Sequence, residues 1–148
     1  MIITQEIRDF LDLQKLSYVA TVSPDGRPNI SPKGTLIGWG TSDTLAFADI
    51  RSPDTMNNLQ NNPNIEINVI DPLSRKGYLF KGKAKIIEKN SLYQDIFNHY
   101  RSHGIKSPIN AIVLVDVSEV SRIISPLYDM GVSEQEIKSR WKKHFENL

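Results

Sequence analysis

Asn29-Ile-Ser-Pro-Lys-Gly-Thr35, followed after a hairpin by Leu45-Ala-Phe-Ala-Asp-Ile-Arg-Ser-Pro-Asp-Thr-Met-Asn-Asn-Leu59, combines a broken strand with a strand that runs into a short helix. The first segment is extended but interrupted. Pro32 lacks an N–H and holds Ser31 in the β region, which makes a poor central strand. The second reads as a strand over Thr44 to Asp49 that runs straight into a short helix. Pro53 falls at the first helical position, where its missing N–H costs nothing, and Ser52 is placed to cap. Pro63 and the asparagines before it end that helix.

Outward from this stretch the chain is punctuated in short pieces. Ile3, Ile7, Phe10 and Leu11 recur at helical spacing behind Thr4, a candidate N-cap, so residues 4–14 read as a helix. Ser17 to Ser23 alternates as a strand. Pro24-Asp-Gly26 is a turn, and a second strand is expected from Asn29 to Gly38. Asn64 to Ile70 alternates again. Tyr78 to Glu88 is a longer strand with Gly82 as a bulge or bend. Leu92, Tyr93, Ile96, Phe97 and Tyr100 form a helical stripe after Asn90. Ala111 to Val117 is the most apolar strand, and Ser133 with Glu136 forms a capping box before a last helix. Five to seven closely spaced strands with three or four helices argue against a doubly wound α/β fold. They predict a mainly β (α+β) domain over residues 1–148, a small antiparallel barrel with peripheral helices.

Composition removes several function classes. There is no cysteine, so disulfides, thiolate nucleophiles and cysteine-ligated metal or iron–sulfur sites are excluded. A formal net charge of +1 lacks the excess of clustered cations that nucleic-acid binding needs. No apolar run approaches the roughly 20 residues of a membrane span, and charges break the N-terminal segment, so a cytoplasmic location is expected. Nucleophile elbow, P-loop and dinucleotide-binding glycine patterns are all missing.

A phosphate dianion needs positive charge and converging N–H or O–H donors. Lys33 lies where a broken strand could aim it at a ligand. Arg51 precedes the helix start, and Thr55 is on its first turn, where an anion gains from the helix dipole. The competing reading makes Pro32-Lys33-Gly34 an edge kink and Arg51 a solvated charge. Asp54, also in the first turn, would repel a nearby phosphate. His99 and His103 stand at i and i+4 but lack an acidic companion. They read as a helix end suited to the dipole rather than as a metal site. Arg140-Trp-Lys-Lys-His144 is balanced by Glu134, Glu136 and Glu146 and reads as a solvated helix face.

The order SPKGT, LAFADIRSPDTMNNLQNNP and VIDPLSRKGYLFKGKAKII resembles the pyridoxamine 5′-phosphate oxidase-like split-barrel flavoproteins over about residues 4–128. The resemblance implies a split antiparallel barrel, a homodimer, and FMN held across the subunit interface. It also implies an oxidoreductase working with a small-molecule electron donor or acceptor. Matched position by position, it places Asn29, Ser31 and Lys33 on the flavin-lining strand, and Asp49 and Arg51 at the next strand end. Thr55 and Asn58 fall on the short helix, and Lys76 before the strand beneath the ring. The namesake oxidase has Ser-Arg-Lys where this chain has Pro53-Asp54-Thr55, so phosphate charge would come from Lys33, Arg51, Arg75 or Lys76. No equivalent of that enzyme's C-terminal tryptophan- and arginine-bearing segment is found, and Trp141 reads as a packing residue. Alternatives on the same fold are a non-enzymatic flavin carrier, a deazaflavin enzyme and a heme-binding relative.

Overall fold

A computed structural model describes all 148 residues. In chain order the elements are α1 (Gln5–Gln14), β1 (Ser17–Val22), β2 (Pro28–Lys33), β3 (Ile37–Gly38), β4 (Thr44–Asp49) and α2 (Pro53–Asn61). They continue as β5 (Asn64–Ile70), β6 (Lys76–Ile86), α3 (Ser91–Ser102), β7 (Ala111–Ile124) and α4 (Glu134–Glu146). The strands form one antiparallel seven-stranded sheet in the order β2-β1-β5-β6-β7-β4-β3. No helix is long and apolar enough to cross a membrane.

The single strand expected from Asn29 to Gly38 is in fact two, and they lie on opposite edges of the sheet. Only Gly34-Thr35-Leu36 joins them. Four Cα steps reach at most roughly 14 Å, whereas the edges of a flat seven-stranded sheet would stand about 29 Å apart. The sheet must therefore curl until its edges nearly meet, which is a split barrel. Pro28 and Pro32 are confined to the edge strand β2, the place where a missing N–H is tolerated.

Thr35 fastens the crossover. Its buried hydroxyl accepts from Ala48 N at 2.9 Å and donates to Ala48 O at 3.3 Å, completing the edge of β4 beyond the end of β3. Tyr100 Oη then donates to Thr35 O at 2.8 Å.

Two apolar clusters occupy the two faces of the curl. Inside, Val19, Leu45, Phe47, Ile67, Phe80, Val113 and Val115 pack with Ile7 and Leu11 of α1. Each such burial contributes about 1.5–3 kcal/mol. Outside, Ala46, Ala48 and Ile112 pack under Tyr93, Ile96 and Tyr100 of α3. The continuous apolar run at the start of β7 is thus covered on both faces within one chain, and its second face needs no partner subunit. Strand β7 also runs on to Ile124, well past the expected Val117, because β6 offers it a partner along its whole length. Strand β6 itself begins at Lys76 rather than Tyr78. The bulge expected at Gly82 lies opposite it: the register skips Ser118 of β7, and a Cβ on Gly82 would stand 2.2 Å from Asp116 O.

Candidate functional site

Strand alternation sorts β2 into two rows. Asn29, Ser31 and Lys33 share a face with their β1 partners Thr21, Val19 and Ser17, which are buried. Pro28, Ile30 and Pro32 share the other with Val22, Ala20 and Tyr18. The first row is polar and meets α2. Asn29 Nδ2 donates to Thr55 Oγ1 at 3.2 Å, and Asn58 Nδ2 donates to Thr21 Oγ1 at 3.0 Å. Thr55 and Asn58 are buried by these contacts and tie the helix to the sheet.

Asp49 closes β4 by taking two hydrogen bonds on Oδ1, one from Ser52 N and one from the Ser52 hydroxyl. The cap expected from Ser52 is therefore not made: its side chain turns back to Asp49, and α2 begins without a side-chain N-cap bond. Asp54 lies in the first turn of α2, as the sequence implies.

Lys33 is the only buried lysine or arginine, 8% exposed. Its Nζ donates to Ser31 Oγ at 2.9 Å, and no carboxylate lies within ion-pair distance. Burial pushes its pKa below the ordinary lysine value, with the more distant Asp49 pulling the other way. Arg51 is exposed and also has no carboxylate partner. The two cations line one cavity of about 200 Å³ with Pro32, Gly34, Thr35, Ala48 and Ile50, and no carboxylate joins that lining.

Seven of the eight residues singled out from sequence thus gather around β2, the end of β4 and α2. The eighth does not. Lys76 opens β6, pairs with Glu134 of α4 at 3.2 Å, and stands over the Tyr128 ring at 4.7 Å. Arg75, the other cation considered there, is held at φ 59° with its guanidinium 3.6 Å from the Trp141 ring centre. Trp141 packs, as expected, on that arginine. Thr35 was missed as a wall of the cavity; a β-branched hydroxyl residue directly after Pro-Lys-Gly was the available signal.

A second cavity of about 210 Å³ shares the Gly34–Thr35 wall and is lined by Leu11, His99, Tyr100 and His103 among others. His99 and His103 stack with ring centres 4.0 Å apart, and the His103 imidazole is engaged with His99 O and Ser102. No group of three or more histidine or acidic side chains is arranged to hold a metal.

The family model for pyridoxamine 5′-phosphate oxidase matches residues 3–122. No curated protein matches the chain. Among solved structures, HupZ of Group A Streptococcus is 30% identical, with a TM-score of 0.74 over 84% of this chain and 96% of that one. An FMN-binding protein from Syntrophomonas wolfei subsp. wolfei is 15% identical, with a TM-score of 0.70 over 82% of this chain and 86% of that one. A protein named F420 reductase is 20% identical, with a TM-score of 0.58 over 80% of this chain and 98% of that one. The last two share the fold. Matched over residues 3–122 and folded as a sheet curled until β2 and β3 nearly meet, the chain belongs to the pyridoxamine 5′-phosphate oxidase-like split-barrel family.

Proposed function

We propose that the protein binds FMN as a homodimer and works as a flavin-dependent oxidoreductase on a small-molecule donor or acceptor. One observation carries this reading: a buried lysine without a carboxylate partner, beside an unpaired arginine, at a cavity whose lining holds no negative charge. A buried ammonium is costly unless an anion compensates it. A flavin phosphate is such an anion, and Arg51 lines the same cavity to share its charge.

The residues fit the phosphate end of the cofactor. Lys33 and Arg51 would supply charge, and Ser31 keeps the lysine in place. Asn29, Thr55 and Asn58 spend hydrogen bonds on one another and on Thr21, so their part is to hold α2 against β2. A cavity of about 200 Å³ is too small for a whole flavin, since sites for ligands of that size run roughly 300–1,000 Å³. The remainder would be enclosed by a second copy. The outward row of β1 and β2 offers it an apolar face, with Tyr18 45% and Ile30 67% exposed. When bound, FMN supplies the electron transfer, and the chain supplies position and local charge.

Flavin fluorescence titration tests this. FMN is expected to bind more than tenfold tighter than riboflavin, about 1.4 kcal/mol. Arg51→Ala should cost FMN on the order of 1.5–3 kcal/mol, as for hydrogen bonds to charged groups, and leave riboflavin unchanged. Equal affinity for the two flavins removes the phosphate from this cavity. The fold shared with the F420 reductase makes a deazaflavin the second reading, which the absorption spectrum of the ligand released from native protein distinguishes.

A further inference from the structure

The same cavity has the features of a carbonyl-capturing site. We infer that in the flavin-free protein the Lys33 amine condenses reversibly with short aldehydes that carry a phosphate, the phosphate being held by Arg51. The inference rests on the geometry at Lys33 and Arg51 and does not require that the resident cofactor be FMN.

Three observations support it. First, Lys33 is only 8% exposed, and the single hydrogen-bond partner of its amine is the Ser31 hydroxyl at 2.9 Å, a neutral group. Desolvation favours the uncharged, nucleophilic form and outweighs the opposing pull of the Asp49 carboxylate, and desolvated lysines are the ones that attack carbonyls. Second, Arg51 lines the cavity without a carboxylate to occupy it, so an anionic substituent on the aldehyde has a partner that a neutral aldehyde lacks. Third, the size suits a small molecule. A cavity of roughly 150 Å³ takes benzene, so about 200 Å³ accommodates a chain of about ten non-hydrogen atoms such as glyceraldehyde 3-phosphate.

The chemistry balances without a further reagent. The neutral nitrogen attacks the aldehyde carbon, a C–N bond forms, and the carbonyl oxygen takes up a proton to give a carbinolamine. The C–O bond then breaks, that oxygen leaves as water with a second proton drawn from solvent, and the nitrogen retains one hydrogen as the protonated imine. Ser31, already bonded to Nζ, is placed to pass a proton between the two atoms. Phosphate or a flavin phosphate in the cavity returns Lys33 to the ammonium form and occupies Arg51, so it competes.

The test uses the full chain freed of flavin, incubated at neutral pH with glyceraldehyde 3-phosphate and cyanoborohydride, which reduces the imine to a stable amine. Peptide mass spectrometry then compares Lys33 with exposed lysines such as Lys142 and Lys143 in the same sample. Lys33 should be modified at aldehyde concentrations at least tenfold lower than the exposed lysines. Glyceraldehyde without phosphate, or Arg51→Ala, should abolish that preference, and inorganic phosphate should protect. Labelling spread over the exposed lysines with Lys33 spared overturns the inference. So does preferential labelling of Lys33 that is unchanged by loss of either the phosphate or Arg51. Protection by inorganic phosphate but not by FMN sustains the inference and removes the flavin reading.

Discussion

Replacing Thr35 by valine should expose how the barrel edges are fastened. The substitution keeps shape and removes one hydroxyl, which alone serves both the N–H and the C=O of Ala48. Ala48 is 1% exposed, so water cannot replace the lost partner. A buried backbone group left unpaired costs about 1–3 kcal/mol, so two such groups cost about 2–6. The extra methyl returns about 0.8 kcal/mol if it packs. The net expectation is a loss of about 1–5 kcal/mol, within reach of a protein whose stability is of order 5–15. Urea unfolding followed by circular dichroism should show the midpoint fall by roughly 1–2 M with the slope unchanged, given slopes near 1–3 kcal/mol per M. Thr35→Ser keeps both hydrogen bonds and should lose about 1 kcal/mol or less. A Thr35→Val protein within 0.5 kcal/mol of the parent, or a serine variant equally damaged, would refute the argument. The closure of the sheet would then rest on packing alone.

Lys33→Met should raise stability at neutral pH in the absence of ligand, because it removes a buried ammonium. The unfolded lysine binds its proton more tightly than the folded one, so the parent gains stability as pH rises from its lowered folded pKa toward 10.5. The advantage of the methionine variant should therefore shrink over that window, and a gap independent of pH between 6 and 10 would contradict the assignment. Gly77→Ala should separate β5 from β6, since its Cβ would lie 1.9 Å from Val69 O; a thermal melt should report a loss of at least about 2 kcal/mol. Sedimentation velocity across a dilution series should show a dimer whose dissociation FMN suppresses, whereas a monomer with undiminished FMN affinity would confine the site to one chain.

Where structure depends on neighbours in sequence, the residues spelled it out. Asn64–Ile70 alternates and is a strand with those bounds, because period-two patterning is a local signal. The caps at Thr4, Asn90 and Ser133 accept from the backbone N–H three residues on, each within a single turn. Ser52 failed as a cap for the same reason in reverse. Its hydroxyl had a stronger acceptor in the Asp49 carboxylate, and proximity alone does not rank partners.

The site was legible only in part. Asn29, Lys33, Arg51 and Thr55 come together because the hairpin, the short crossover and the helix start bring them there within a few tens of residues. Lys76 was separated from them by pairing choices that no local pattern records, with β6 lying between β5 and β7 and Glu134 of a distant helix waiting for its ammonium. That Lys33 would be buried, and that it would lack a counter-ion, could not be read from Ser-Pro-Lys-Gly.

Local pattern specified the helices and every strand except the break that splits residues 29–38 into β2 and β3, the edge character of β2 through its prolines, and a site chemistry without thiols because there is no cysteine. The tertiary structure alone decided that Gly34-Thr35-Leu36 jumps from one sheet edge to the other. Patterning selects which face of a strand is buried, whereas the identity of its neighbour depends on contacts far apart in the chain. The same closure leaves Lys33 buried with no carboxylate within ion-pair distance, a property of the assembled barrel rather than of any segment.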